Sequence, residues 1–144
     1  MIDNQFDDEL VSGATLTRLP RIDGTNGSLI VGEVNAGLPF VVRRVFTVFN
    51  VPFGEPRGTH AHRKCEQLLV CLVGSVTAVV DDGFRHREVV LDDPSVGLYM
   101  PAMTWGTQYR YSPDAILLVL ASAPYDPDDY IHEYEEFKRM AASR

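Results

Sequence analysis

Short runs of β-prone residues, each ended by turn-forming residues, recur along almost the whole chain and constrain its fold more than any other feature. Valine, isoleucine, phenylalanine and threonine favour strands, whereas glycine, proline, asparagine and aspartate favour turns. The Asp82-Gly83 pair predicts a tight hairpin, because glycine supplies the positive φ that such a turn needs. The predicted strands cover residues 14–19, 28–34, 40–51, 67–73, 75–80, 87–91, 96–100 and 115–121.

A single helix is predicted near the end of the chain, over residues 128–142. Asp128 and Asp129 are suited to cap it, and apolar residues then recur at three- and four-residue spacing. One helix among many strands favours an all-β barrel or two-sheet sandwich over alternating strands and helices. No repeat or linker divides the chain, so we expect a single domain over residues 1–144, with residues 1–12 as a flexible acidic lead-in.

The net charge of −7 argues against a nucleic-acid binder or a protein of anionic membrane surfaces, since both need a positive face. Any phosphate site must therefore be formed by a few basic residues close together and not by a generally positive surface. No stretch reaches the roughly 18 apolar residues of a membrane span, and Cys65 and Cys71 are too few and too close for a secreted disulfide framework. We therefore expect a soluble cytoplasmic protein with reduced thiols, no nucleic acid and no membrane as partners.

The pair His60 and His62 is the strongest chemical signal in the sequence. In a strand, side chains two positions apart project from the same face, so both imidazoles can act on one small ligand. Such a pair indicates either a metal site or a proton-transfer site, although it can also be surface decoration. The neighbouring Arg57 and Arg63 favour proton transfer on an anionic ligand.

The stretch around these histidines resembles the first motif of the cupin superfamily, and its frame is Gly54-x5-His60-x-His62-x4-Gln67-x6-Gly74. Cupins usually have a carboxylate where this chain has Gln67. The metal-binding histidine of the second cupin motif falls at Gly106, which has no side chain. With two of four usual ligands missing, the chain is expected to hold no metal, because a tightly bound divalent ion needs three or four nitrogen or oxygen donors.

Nearly the whole chain from about Gly24 resembles the dTDP-4-oxo-6-deoxyglucose 3,4-ketoisomerases, also described as WxcM-like C-terminal domains, where dTDP is thymidine diphosphate. The segments that carry the likeness are residues 43–46, 56–62, 67, 81–83, 97–99, 105, 118–122, 125 and 129–131. The resemblance implies a cupin jelly roll (double-stranded β-helix), a homodimer with exchanged N-terminal strands and no cofactor. The implied reaction moves the keto group of a dTDP-linked 4-keto-6-deoxyhexose from C4 to C3 in bacterial deoxysugar biosynthesis. The chain departs from the family at Asn26, Phe46, Thr47 and His132.

These likenesses assign expected roles to seven residues. His60 is the expected base at carbon and His62 its partner in proton transfer, with the reverse order also open, because imidazole exchanges protons near neutral pH. Arg44 or Arg57 would hold the diphosphate. Each role has a structural alternative, such as an Arg44–Glu33 pair or a hydrogen-bonded interior amide. The remaining expected substrate-binding residues, which would be core residues in the alternative, are Gln67, Trp105 and Tyr130.

Three other functions compete with ketoisomerisation. A dTDP-keto-sugar 3,5-epimerase abstracts protons from the same kind of substrate, and a non-catalytic sugar-binding cupin or a metal-dependent cupin dioxygenase would use the same fold. The pair of His60 and His62, together with no evident His–Asp dyad elsewhere in the sequence, favours the ketoisomerase over the epimerase.

Overall fold

A computed structural model describes residues 9–144 of the chain, and almost all of its regular structure is β-strand. The first six strands are β1 (Glu9–Val11), β2 (Ala14–Arg18), β3 (Arg21–Gly24), β4 (Gly27–Ile30), β5 (Glu33–Val34) and β6 (Gly37–Leu38). The next five are β7 (Arg44–Phe49), β8 (Arg57–His62), β9 (Gln67–Val73), β10 (Val76–Asp81) and β11 (His86–Leu91). The last elements are β12 (Val96–Met100), β13 (Trp105–Tyr109), β14 (Ile116–Ala121), β15 (Tyr130–Ile131) and the helix α1 (Tyr134–Ala142).

Two antiparallel sheets face each other across one core. One has six strands in the order β1-β2-β12-β9-β14-β7, and the other has five in the order β11-β10-β13-β8-β15. Two smaller pairs, β3–β4 and β5–β6, precede β7 in the chain. Paired sheets with such crossovers between strands are typical of a jelly roll, so the all-β prediction is confirmed.

The main core lies between the sheets, and it forms because inward-facing residues alternate along each strand. Leu69 and Cys71 of β9 meet Ala78 and Val80 of β10 there, all of them almost fully buried. The other face of β9 is buried too, since Leu68 and Val70 pack beneath residues of the N-terminal segment. A strand covered on both faces reads as a continuous apolar run, which is why the sequence predicted β9 at its observed bounds.

The beginning of the chain is more ordered than predicted. Residues 1–8 of the expected flexible lead-in lie outside the described residues, but Glu9–Val11 forms β1, paired with β2. Leu10 and Val11 are buried in the main core, so burial of their apolar side chains stabilises a strand in an otherwise acidic segment. The predicted strand over residues 28–34 is also interrupted, with β4 ending at Ile30 and β5 beginning at Glu33.

The C-terminal helix begins at Tyr134 and not at residue 128. Pro127–Asp129 forms a 3-10 turn capped by Asp126, and Tyr130 and Ile131 pair with His62 and Ala61 at the edge of the five-stranded sheet. The prediction was wrong here because the free edge of β8 offers backbone hydrogen bonds that local helix propensity cannot anticipate. Among residues 9–144, no helix has the length and apolar character needed to cross a membrane.

Candidate active site

A cavity of about 210 Å³ opens between the two sheets, and the paired histidines line it. The lining side chains alternate along β7, β8, β9 and β14, as expected for residues on the inner faces of facing sheets. The polar or ionisable side chains in the lining are Arg57, His60, His62, Cys65, Gln67, Thr104, Gln108 and Tyr130. Apolar side chains from β7, β9 and β14 form much of the remaining wall.

His60 and His62 lie on the same face of β8, as predicted from their spacing. Their ring centroids are 5.0 Å apart with the rings nearly perpendicular. Ala61, between them, points the other way into the cluster beneath α1. His62 is buried and His60 is half-buried, so both imidazoles reach the cavity from one wall.

Asp129 belongs to the site but was not among the predicted site residues. From the sequence it was assigned to a helix cap. Its Oδ2 lies 2.9 Å from His62 Nδ1, and its carboxylate also accepts the backbone N–H of Lys64 at 2.7 Å and of Cys65 at 3.2 Å. From the sequence, a His–Asp dyad was considered only elsewhere in the chain, whereas the structure forms one at His62 itself. The sequence carried no signal of the pairing because 67 residues separate the two groups.

The protonation states of the dyad follow from its surroundings. Burial raises the pKa of Asp129, but hydrogen bonds from His62, Lys64 and Cys65 outweigh burial and hold that pKa below its ordinary value. Burial lowers the pKa of His62 despite the opposing effect of the carboxylate. At neutral pH a neutral imidazole therefore donates Nδ1–H to an ionised carboxylate. The lone pair of His62 lies on Nε2, which is buried and has no hydrogen-bond partner among residues 9–144.

His60 is even more strongly biased toward the neutral form. Burial, followed by the nearby His62, His132 and Arg44, lowers the pKa of His60 from 6.5 to about 4. A neutral imidazole at pH 7 can accept a proton but has no excess proton to give. Two adjacent neutral imidazoles thus give the cavity two nitrogen bases on one wall.

Tyr130 packs against both imidazoles from β15. Its ring centroid is 4.8 Å from that of His60 and 4.4 Å from that of His62, and the His132 ring lies nearly parallel to it at 5.6 Å. Arg44 Nη1 lies 3.4 Å from the phenol oxygen, a weak donor contact. Tyr130 therefore places a phenol ring against the two imidazoles, with a guanidinium beside its hydroxyl.

Arg44 reaches this group from β7 and does not pair with Glu33. Its guanidinium carbon lies 5.5 Å from the Phe46 ring centroid and 5.8 Å from that of Tyr125. Its Nε is buried with no hydrogen-bond partner in the described part of the chain. A buried, unpaired donor is costly, so Arg44 is suited to receive an anionic group.

Five of the seven predicted site residues line the cavity (His60, His62, Arg57, Gln67 and Tyr130), while Arg44 contacts Tyr130 beside it and Trp105 lies apart. Arg57 lies exposed at the cavity lining, and Gln67 lies buried in it. Trp105 does not line the cavity, because its indole packs against Tyr134 and Phe137 in the cluster beneath α1. Its role in this structure is to hold the helix on the sheet, which is the alternative that the sequence left open for it.

The ligand atoms of His62, Cys65 and Asp129 lie within 4.8 Å of one another, the only such group of three among the described residues. His62 Nδ1, the Asp129 carboxylate and the Cys65 thiol are already engaged in hydrogen bonds, whereas His62 Nε2 is not. Both oxygens of Asp129 accept hydrogen bonds from N–H groups, and the Cys65 thiol donates to the Glu66 carbonyl oxygen at 3.4 Å. An ion held by these three engaged groups would have to displace these bonds, so this group of three does not fit a resident metal.

The chain matches one family model and is similar in sequence to a curated protein. The family model described as "FdtA: WxcM-like, C-terminal" matches residues 12–142. Over 122 residues the chain is 44% identical to a TDP-4-oxo-6-deoxy-alpha-D-glucose-3,4-oxoisomerase of Aneurinibacillus thermoaerophilus, a match covering 85% of this chain and 88% of the relative.

Two solved structures are similar over nearly their full length. The sugar 3,4-ketoisomerase QdtA of Thermoanaerobacterium thermosaccharolyticum, solved with TDP, is 34% identical with a TM-score of 0.90, covering 93% of this chain and 98% of that one. The TDP-quinovose 3,4-ketoisomerase WlaRB of Campylobacter jejuni is 37% identical with a TM-score of 0.86, covering 90% of this chain and 99% of that one.

Proposed function

The chain belongs to the FdtA, WxcM-like C-terminal family, and from that premise we propose how it works as a 3,4-ketoisomerase of a TDP-linked 4-keto-6-deoxyhexose. The reaction moves the keto group from C4 to C3 of the sugar. The observation that carries the proposal is the pair of neutral imidazoles, 5.0 Å apart, on one wall of a single cavity. The 3,5-epimerase alternative gives way to this function, since the 44% identical relative is an oxoisomerase.

His60 is the base that takes the proton from C3. Its pKa of about 4 keeps the imidazole neutral and ready to accept a proton at physiological pH. Removal of the C3 proton while C4 is a ketone gives an enediolate, in which the C3–C4 bond is double. A well-placed general base contributes a rate factor of roughly 10²–10⁴.

His62 relays the proton to C4. Its Nε2 carries a lone pair and can accept the proton from protonated His60, while the ionised Asp129 stabilises the imidazolium that forms. Transfer from Nε2 to C4 then completes the movement of hydrogen between the two carbons. Asp129 acts through His62 and is a positioning residue in this scheme.

Arg57 and Arg44 bind the diphosphate. Arg57 is exposed at the cavity lining, where a bulky anion has access, and Arg44 has a buried donor without a partner among the described residues. Guanidinium groups suit phosphate oxygens because they donate in pairs. On a chain with net charge −7, two arginines near one cavity give a local positive site without making the protein a general anion binder.

The active form is a homodimer that exchanges N-terminal strands. Strand β7 ends the six-stranded sheet, and its Val45 and Phe49 are 57% and 59% exposed. On the β3–β4 pair, Ile22 and Leu29 are 58% and 51% exposed. Apolar residues on a free edge and a projecting hairpin are what a second copy would cover. Light scattering of wild type and Val45→Asp tests this, and a wild-type monomer at micromolar concentration would refute it.

The cytoplasm is the proposed location. Cys65 and Cys71 are both free and buried, as expected where thiols stay reduced. Fractionation of the native host tests this location, and recovery of the protein outside the cytoplasm would overturn it.

The function is tested by incubating the protein with TDP-4-keto-6-deoxyglucose in heavy water and locating deuterium by NMR. We expect a 3-keto product labelled at C4, with label at C3 found only in recovered substrate, because C3 of the product is a carbonyl carbon and bears no hydrogen. Label at C5 would indicate epimerisation, and absence of any turnover with intact TDP binding would indicate a sugar-binding module. His60→Asn should lower turnover by at least about a hundredfold while TDP binding persists.

A further inference from the structure

We infer that Tyr130 is a further catalytic residue, which passes the hydroxyl proton between O3 and O4 of the sugar. This inference rests on the proposed function, because it supplies the step that the two histidines leave unfilled. Ketoisomerisation moves two hydrogens, one from C3 to C4 and one from O3 to O4. His60 and His62 handle the carbon hydrogen, so another group must handle the oxygen hydrogen.

The cavity contains few groups able to do this. The group must first give a proton to O4, and both imidazoles are neutral and so have no excess proton. The thiol of Cys65 is only 3% exposed and donates to the Glu66 carbonyl oxygen. The hydroxyl of Thr104 is aliphatic and a far weaker acid than a phenol. Phe46, which lines the cavity from β7, has no hydroxyl.

Tyr130 meets the requirement by position. It lines the cavity, and its ring lies within 5 Å of both imidazole rings, 4.8 Å from His60 and 4.4 Å from His62. A sugar whose C3–H faces His60 would then present O3 and O4 to a group on the neighbouring strand β15. The His132 ring, stacked at 5.6 Å, supports the orientation of the phenol ring.

Arg44 is the group that accompanies the phenol oxygen of Tyr130 during the transfer. Its Nη1 lies 3.4 Å from the phenol oxygen, so a positive charge faces the phenolate that forms when Tyr130 gives its proton away. The step balances as follows: the phenol O–H bond breaks as the O4–H bond forms, and the phenolate then takes the proton of the O3 hydroxyl as C3 becomes the ketone. Tyr130 ends the cycle as it began, and no other reagent is consumed.

The test compares Tyr130→Phe with wild type, because phenylalanine keeps the ring and removes only the hydroxyl. We expect kcat to fall by about 10²–10⁴, the range for one proton-transfer group. TDP affinity, measured by calorimetry, and Tm should remain close to wild type. Tyr109→Phe is the matched control, since Tyr109 does not line the cavity, packs its ring against Arg110 and loses the same atom.

A second readout separates proton relay from simple positioning. Without the relay, an enediolate still regains a proton at C3 but cannot lose the O3 hydrogen efficiently, so it returns to substrate. In heavy water, Tyr130→Phe should therefore raise the ratio of C3 deuterium in recovered substrate to product formed by at least about tenfold. A merely structural role would lower exchange and product formation in equal proportion, and that result would overturn the relay.

The relay and the proposed base can fail separately. If Tyr130→Phe keeps wild-type kcat, the relay is wrong whatever the histidine variants do. If His60→Asn keeps C3 exchange and turnover, the proposed base is wrong, while an altered exchange ratio in Tyr130→Phe still supports the relay.

Discussion

His62 Nδ1 donates to Asp129 Oδ2 at 2.9 Å, joining two residues that lie 67 positions apart in the chain. This bond fixes the imidazole tautomer, because an ionised carboxylate can only accept. It leaves the lone pair on Nε2, the atom that has no partner among the described residues. The same carboxylate fastens the β8–β9 connection through the N–H groups of Lys64 and Cys65. Asp129 thus couples the chemistry of the site to the local fold.

Replacing Asp129 with asparagine should therefore damage both activity and stability. The amide cannot accept from all three N–H groups, so we expect the free energy of unfolding to fall by about 1–3 kcal/mol. We also expect kcat to fall by about 10–100-fold, since His62 loses its orientation and the charge that stabilises its imidazolium. Urea titration and steady-state kinetics measure the two effects. Asp128→Asn is the control, because its side chain is exposed, and equal behaviour of the two variants would contradict this account.

The pH dependence of kcat/KM should report the unusual acidity of protonated His60. The free base must be neutral to accept the C3 proton, and burial lowers its pKa to about 4. We therefore expect kcat/KM to stay level as pH falls through 6.5 and to decline at lower pH, where His62, whose pKa is also lowered by burial, and His60 take up protons. Short assays after a pH jump, with circular dichroism to verify folding, give the profile. An acid limb centred near 6.5 would show that His60 is not the base or is not desolvated.

Trp105 should matter for stability and not for substrate affinity. Its indole is 8% exposed and packs on Phe137 and Tyr134 of α1, outside the cavity lining. Trp105→Leu removes that packing and should lower the free energy of unfolding by about 1–3 kcal/mol. KM should change by less than about twofold. A large rise in KM without loss of stability would contradict this prediction and show that Trp105 contributes to substrate binding.

A side chain at Gly58 is expected to displace the amide of Gln108, which lines the cavity. Its φ of +67° is unfavourable for other residues, and an added Cβ would lie 2.2 Å from Gln108 Oε1 within the cavity wall. Gly58→Ala should destabilise the protein by more than about 1 kcal/mol and lower kcat/KM. Gly54→Ala is a matched control, because its φ is +94° but no atom lies within 4 Å of an added Cβ. Thermal unfolding of both variants separates collision from backbone strain, and equal losses would contradict the collision.

The sequence determined the features that depend on local periodicity. Strand β9 was predicted over residues 67–73 and β12 over residues 96–100, at the bounds observed, because their apolar runs end at clear turn residues. The shared face of His60 and His62 followed from the two-residue repeat of a strand. These inferences needed no knowledge of which strands are neighbours.

Only the tertiary structure decided what those histidines face. The local sequence predicts that Asp129 and Tyr130 begin a helix. In the structure, Tyr130 instead pairs with the edge strand β8, and both side chains lie against His62. Trp105, which was predicted to bind substrate, packs instead in the cluster beneath α1. Periodicity fixes the direction in which a side chain points relative to its own strand, whereas strand register and packing, which join distant parts of the chain, determine its neighbours.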